Sequence, residues 1–194
     1  GEIKVGEHIL QNINRKDWQS RISAVMQDGH IFSESLMYNI TLNSDKESID
    51  YDQLAKAIEL SCLEEVINNL PLSYYTKIGR GGRKLSRGQI QRVLIARALY
   101  KDGEIFIFDE FTSALDSLTE KKILENINKH YKEKTMFIVA HKLYLLNHVD
   151  LILVMHDGAI TEQGTREELM EKQGLYHKMV LRQLKNRRGN KTRE

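Results

Sequence analysis

Apolar positions along the chain fall into two patterns. Ile22–Met26, Ile105-Phe106-Ile107-Phe108 and Thr135-Met136-Phe137-Ile138-Val139 are short, nearly unbroken runs. Such runs predict parallel strands covered on both faces. Leu151–Val154 is a further strand. The turn His156-Asp157-Gly158 folds it back on Ala159-Ile160-Thr161 as a hairpin. Helical spacing takes over elsewhere. Leu54, Ile58, Cys62, Val66 and Leu70 predict one helix over 51–70, stopped by Pro71, the only proline. A helix from Ser86 carries Ile90, Leu94 and Ala98 on one face and ends at Gly103 as its C′ glycine. Another opens on the capping box Ser117-Leu118-Thr119-Glu120 and turns Ile123, Ile127 and Tyr131 inward. Residues 1–30 read as strand, loop and strand, 79–82 as a glycine-rich loop, and 167–185 as terminal helices. No repeat or low-complexity stretch interrupts this order.

Composition narrows the picture. A chain of 194 residues can bury one substantial core with a smaller lobe attached. Twenty-nine basic against 27 acidic residues leave +2, which implies no nucleic-acid partner. The basic tail (Arg182, Lys185, Arg187, Arg188, Lys191 and Arg193) reads as a solvated terminus, with anionic lipid headgroups as the alternative. The single cysteine, Cys62, excludes an internal disulfide and reads as a small buried hydrophobe. No run approaches the ~18 apolar residues of a membrane span. The six histidines other than His141 (8, 30, 130, 148, 156 and 177) lack metal-ligand spacing.

Candidate chemistry begins at Leu85-Ser86-Arg87-Gly88-Gln89. Ser86 is a good N-cap, and Gln89 can close a capping box with it. Free N–H groups at a helix start attract anions. Twenty residues on, the strand 105–108 ends on Asp109-Glu110. In open α/β sheets ligands bind beyond the carboxyl ends of the strands. Taken singly, Ser-x-x-Gln is only a cap and an acidic pair only ends a strand. Here they are joined by Ser113-Ala114-Leu115-Asp116, by His141 after the strand 135–139, and by Gln27 after the strand 22–26.

In this combination the chain resembles the nucleotide-binding domain of ABC transporters. The matching pieces are the signature loop (85–89), the Walker B strand (105–109), the catalytic glutamate (Glu110), the D-loop (113–116), the switch histidine (His141) and the Q-loop glutamine (Gln27). The resemblance covers all but the last ten or so residues. It implies an α/β fold: a RecA-like P-loop NTPase core over 1–30 and 92–194, interrupted by a helical subdomain at 31–91 with the signature at its end. It also implies a protein that binds ATP with Mg²⁺ and hydrolyses ATP to drive transport. Asp109 and Gln27 would attend the metal, Glu110 the attacking water and His141 the γ-phosphate. Ser86, Gly88, Gln89 and Asp116 would face a nucleotide held by a second such domain, packed head to tail. Transmembrane domains are the other implied partner, which places the chain on the cytoplasmic face of the cell membrane.

No G-x-x-x-x-G-K-[ST] occurs in the 194 residues, so the first strand and P-loop of such a core are absent and the chain alone is expected to be inactive. Gly1–Val5 looks like the strand that follows the P-loop helix. Three positions depart from the family pattern: Arg87 stands at the first signature glycine, Arg80 at a common glutamate and Phe111 at a common alanine. The run Val25–Ser33 with Leu70-Pro71-Leu72 and Thr76–Gly79 looks like bacterial peptidase-containing peptide and bacteriocin exporters. The competing readings are a non-transport ABC-type ATPase and a binding-only half of a heterodimer. The compact 31–84 segment argues against the first, and the presence of Glu110 and His141 against the second.

Overall fold

The computed structural model describes the backbone of residues 1–191 and side chains through residue 185, so Arg187, Arg188, Lys191 and Arg193 of the basic tail fall outside the described side chains. Two compact units, 1–139 and 140–194, each enclose apolar side chains of their own.

The first unit opens with a short hairpin, β1 (Lys4–Val5) and β2 (His8–Ile9). A helix follows where the sequence suggested only a loop: α1 (Arg15–Arg21), started by the Asn14 side chain accepting from Lys16 N–H at 2.9 Å. It buries no residue, so apolar periodicity left no trace of it. Strands β3 (Ile22–Val25), β4 (Ile105–Asp109) and β5 (Thr135–Val139) then form a parallel sheet in the order β3-β4-β5.

Between β3 and β4 lie α2 (Leu36–Thr41), α3 (Tyr51–Leu60), α4 (Glu64–Asn68) and α5 (Arg87–Lys101). The single helix expected over 51–70 is therefore two. The chain breaks at Cys62, which takes a left-handed φ of 56°. Cys62 is only half-buried, its carbonyl accepting a bond from Arg92 Nη1 at 2.7 Å. The end of α5 also differs from expectation. Asp102, not Gly103, holds the left-handed position (φ 49°). Gly103 is needed for space instead, since a Cβ there would stand 2.6 Å from Arg21 O and 2.8 Å from Ser23 N.

Helix α5 explains why its sequence is apolar on more than one side. Leu94, Ile95, Ala98 and Leu99 pack with Phe106, Phe108, Phe111, Ile123 and Ile127. Val93 and Ala96 face a second cluster built from Leu36, Ile40, Leu54, Leu63, Val66 and Ile78. After β4 comes α6 (Ser117–His130). Its N-cap is Asp116 rather than Ser117, the carboxylate accepting from Leu118 N–H (3.1 Å) and Thr119 N–H (3.0 Å). The sheet is covered less than its apolar strands predict. Phe106 and Phe108 are fully buried, but Phe137 and Val139 are 58% and 55% exposed, so the described residues supply a packed layer on one face only.

The second unit is a hairpin with two helices. Strands β6 (Ile152–His156) and β7 (Ala159–Gly164) pair antiparallel around Asp157-Gly158, both at positive φ as a two-residue primed turn requires. Helix α7 (Arg166–Glu171) starts on a Thr165/Glu168 capping box. Helix α8 (Leu175–Lys191) starts on the Glu162 carboxylate, which accepts Tyr176 N–H at 3.1 Å and Leu175 N–H. Leu143, Ile152, Val154, Leu169 and Tyr176 form the core.

Candidate functional site

Gln27, Asp109 and Glu110 emerge at one edge of the parallel sheet. Val25 pairs with Phe108, so Gln27 lies two residues beyond one strand while Asp109 ends its neighbour. Side chains alternate along a strand, which puts Asp109 on the face of Ile107, opposite the buried Phe108. Asp109 is half-buried and Gln27 is exposed.

Glu110 departs from ordinary strand geometry. Its φ is 46°, a left-handed conformation that costs a residue with a Cβ about 1–3 kcal/mol unless its surroundings impose it. Three contacts impose it here. Glu110 N–H donates to Val139 O at 3.0 Å, and Ser113 N–H donates back to Glu110 O at 3.0 Å. The next residue, Phe111, is fully buried with its ring stacked 4.4 Å from that of Phe108. The departure at Phe111 thus has a structural reason: its ring pins the turn that carries Glu110.

The signature loop forms the predicted cap. Ser86 Oγ accepts Gln89 N–H at 3.2 Å, and Gln89 Oε1 accepts Ser86 N–H at 2.8 Å. The Gln89 side chain is thereby committed to its own helix start. Gly88 sits against the 113–116 loop so closely that a Cβ would meet Ala114 O at 2.9 Å. Asp116 is likewise committed to α6, and the N–H of Thr119 holds its carboxyl below the usual carboxylate range. Arg87 is exposed, as are Arg80, Arg83 and Lys84, and none of the four forms an ion pair among the described residues.

The structure therefore gathers two groups within the first unit: Gln27 with Asp109 and Glu110, and Ser86-Gly88-Gln89 with the loop ending at Asp116. His141 belongs to the second unit. It is exposed, and its carbonyl accepts a bond from the Gln183 side chain. No group of three or more His, Cys, Asp or Glu side chains among the described residues could hold a metal by itself. A carboxylate and an amide at neighbouring strand ends would suit Mg²⁺ shared with a nucleotide, since that ion is commonly held by one or two carboxylates plus phosphates and waters.

Sequence reasoning missed a supporting pair. Asn39, fully buried, accepts Phe32 N–H at 2.8 Å and donates to Phe32 O and Ser35 O at 3.0 Å each. Arg97 donates to Asn39 O at 2.7 Å and to His30 O at 3.0 Å, and burial pushes its guanidinium pKa down. The pair fixes the segment that follows Gln27. Its one sequence signal is an arginine at 97 inside an otherwise apolar stretch of α5.

Comparison with known proteins agrees with these features. The ABC transporter family profile matches residues 1–113. The chain is 37% identical over 177 residues to the ATP-dependent lipid A-core flippase of Cupriavidus pinatubonensis, covering 91% of this chain and 30% of the flippase. It is 36% identical over 180 residues to the lactococcin-G-processing and transport ATP-binding protein LagD of Lactococcus lactis subsp. lactis, covering 93% of this chain and 25% of LagD. A bacterial Atm1-family ABC exporter solved with ATP bound superimposes with a TM-score of 0.88 at 33% identity, over 95% of this chain and 32% of the exporter. The chain thus spans about a third or less of the proteins it matches, and it belongs to the ABC transporter family.

Proposed function

We propose that this chain belongs to the nucleotide-binding domain of an ABC exporter and couples ATP hydrolysis to transport. The observation that carries the reading is Glu110, held in a left-handed turn directly after Asp109 at the carboxyl edge of a parallel sheet. Residues 1–30 and 92–194 are assigned to the RecA-like core and 31–91 to the helical subdomain, supported by the separate apolar cluster around Leu36, Leu54 and Ile78.

Phosphoryl transfer to water requires positioning and charge stabilisation more than covalent chemistry. Mg²⁺, when bound, spreads the charge of the phosphate oxygens. Asp109 and Gln27 would hold that ion, the first through its carboxylate and the second through its amide oxygen. Glu110 orients the attacking water and takes its proton, and the bonds of its main chain to Val139 and Ser113 fix the backbone from which the carboxylate projects. His141 donates to the γ-phosphate. Ser86 and the N–H groups at Gly88 present a helix start to the nucleotide of a second domain packed head to tail, with Asp116 at that interface. Transmembrane domains receive the motion, and the domain works on the cytoplasmic face of the membrane. Among the described residues no helix is long and apolar enough to cross one. Peptide export is the substrate reading supported by the exporter-like runs at 25–33 and 70–79 and by the likeness to LagD.

The test is Asp109→Asn in the complete transporter. Metal-dependent ATP binding should weaken at least tenfold while metal-free binding holds, for loss of about 1.4 kcal/mol or more from one charged ligand. Equal affinity with and without Mg²⁺ in both proteins would remove Asp109 from the metal site.

A further inference from the structure

Tyr176, Val180 and Gln183 follow one another at helical spacing along α8, so they share a face. Tyr176 is buried, and Val180 packs against the core that also contains Leu143. One turn further, the half-buried Gln183 reaches the loop after β5 with both ends of its amide. Its Oε1 accepts Leu143 N–H at 3.1 Å, and its Nε2 donates to His141 O. Leu143 begins the short 3₁₀ segment Leu143–His148, so its N–H is one of the donors a helix start leaves without an internal partner. The side chain bonds the backbone on both sides of Lys142 as a neighbouring peptide group would. An amide offers this pairing of a donor and an acceptor in one plane on a single carbon. A carboxylate lacks the donor, and an ammonium lacks the acceptor.

We propose that Gln183 is a positioning residue for His141: α8 fixes the backbone of the 141–143 segment through a two-point amide bracket, and so sets where the His141 ring stands. The catalytic meaning of this bracket rests on the proposed role of His141 at the γ-phosphate. The bracket itself does not. Its consequence is a mechanical link. A partner or segment that shifts α8 along its axis moves the His141 backbone, and thereby slows turnover without touching the nucleotide.

The bracket is tested by NMR on the 194-residue chain. In Gln183→Leu, exchange of the Leu143 amide should speed up about two- to tenfold, the worth of one net hydrogen bond, and the His141 carbonyl ¹³C signal should move. Gln183→Glu separates the two bonds and guards against a disturbed helix. Leu143 should stay protected while the His141 carbonyl signal shifts as it does in the leucine variant. Unchanged Leu143 exchange in Gln183→Leu, or an unmoved His141 carbonyl in Gln183→Glu, overturns the bracket. In the complete transporter Gln183→Leu should lower kcat several-fold with the KM for ATP kept. A raised KM with kcat intact would contradict positioning. If His141→Ala leaves turnover unchanged, the switch reading of His141 fails, whatever the NMR result at Gln183.

Discussion

Gly88→Ala asks whether the signature loop and the 113–116 loop are packed as tightly as the structure shows. At an open position in the first turn of a helix, this change should stabilise by up to about 1 kcal/mol, because alanine is the better helix former. At Gly88 the new methyl would meet Ala114 O at 2.9 Å. Ordinary carbon–oxygen contacts begin near 3.3 Å, so one backbone must retreat by roughly 0.4 Å. The obstacle is a main-chain oxygen between Ser113, tied to Glu110, and Leu115, whose N–H donates to Thr112 O at 3.1 Å, so the retreat is resisted. Overpacking of this kind costs about 1–3 kcal/mol. Set against the helix preference, the net is a loss of about 1 kcal/mol. With a urea slope near 2 kcal/mol/M, the midpoint should fall by about 0.5 M. Trp18, the only tryptophan, lies in α1 of the same unit and reports the transition by fluorescence. Arg87→Ala at the exposed neighbouring position is the control and should change stability by less than about 0.5 kcal/mol. A midpoint that rises in Gly88→Ala would show that the two loops are not in contact.

Alkaline pH should weaken the first unit through Tyr131. Burial, with the nearby Asp102 carboxylate, raises its phenol from 10.0 to about 12. The unfolded chain therefore ionises first, so the stability held below pH 10 is lost as pH rises towards 12, by about 2 kcal/mol in all. Thermal melts of Tyr131→Phe should show a smaller fall over that window, and an identical fall would assign it elsewhere. Arg87→Gly restores the usual signature. If Arg87 contacts phosphate across the dimer, the change should weaken ATP-dependent dimerisation by about 1–2 kcal/mol, read with a non-hydrolysable analogue at two salt concentrations. Tighter, salt-insensitive closure would mean that Arg87 points to solvent.

What could be read from the sequence was local. The runs 105–108 and 135–139, the Asp157-Gly158 turn and the Ser86/Gln89 box each declare themselves within a few residues, and each forms the expected element, though the strands are covered on one face only. The failures have specific causes. Helix α1 has no apolar stripe to betray it. The stripe at 54, 58, 62, 66 and 70 keeps its period across a break, because α4 resumes on the same face after Cys62 turns left-handed. Asp116 outcompetes Ser117 as a cap with a carboxylate that accepts two N–H groups. Gly103 looked like a helix stop, but what demands glycine is the backbone of Arg21 and Ser23, some eighty residues away. The candidate site divides in the same way. Motif spacing pointed to Asp109, Glu110 and Ser86, while the contacts on Glu110 and on the segments nearby come from distant chain: Val139 on Glu110, Arg97 on Asn39 and Ala114 against Gly88.

The most direct measurement is ATP turnover of the complete transporter carrying Glu110→Gln. The substitution keeps size and shape and replaces the charged proton acceptor with a neutral amide. Hydrolysis should fall by roughly 10²-fold or more while ATP affinity holds and the closed dimer accumulates. Turnover within a few-fold of the unaltered protein would contradict the assignment of Glu110, and with it the catalytic reading of the strained turn after Asp109.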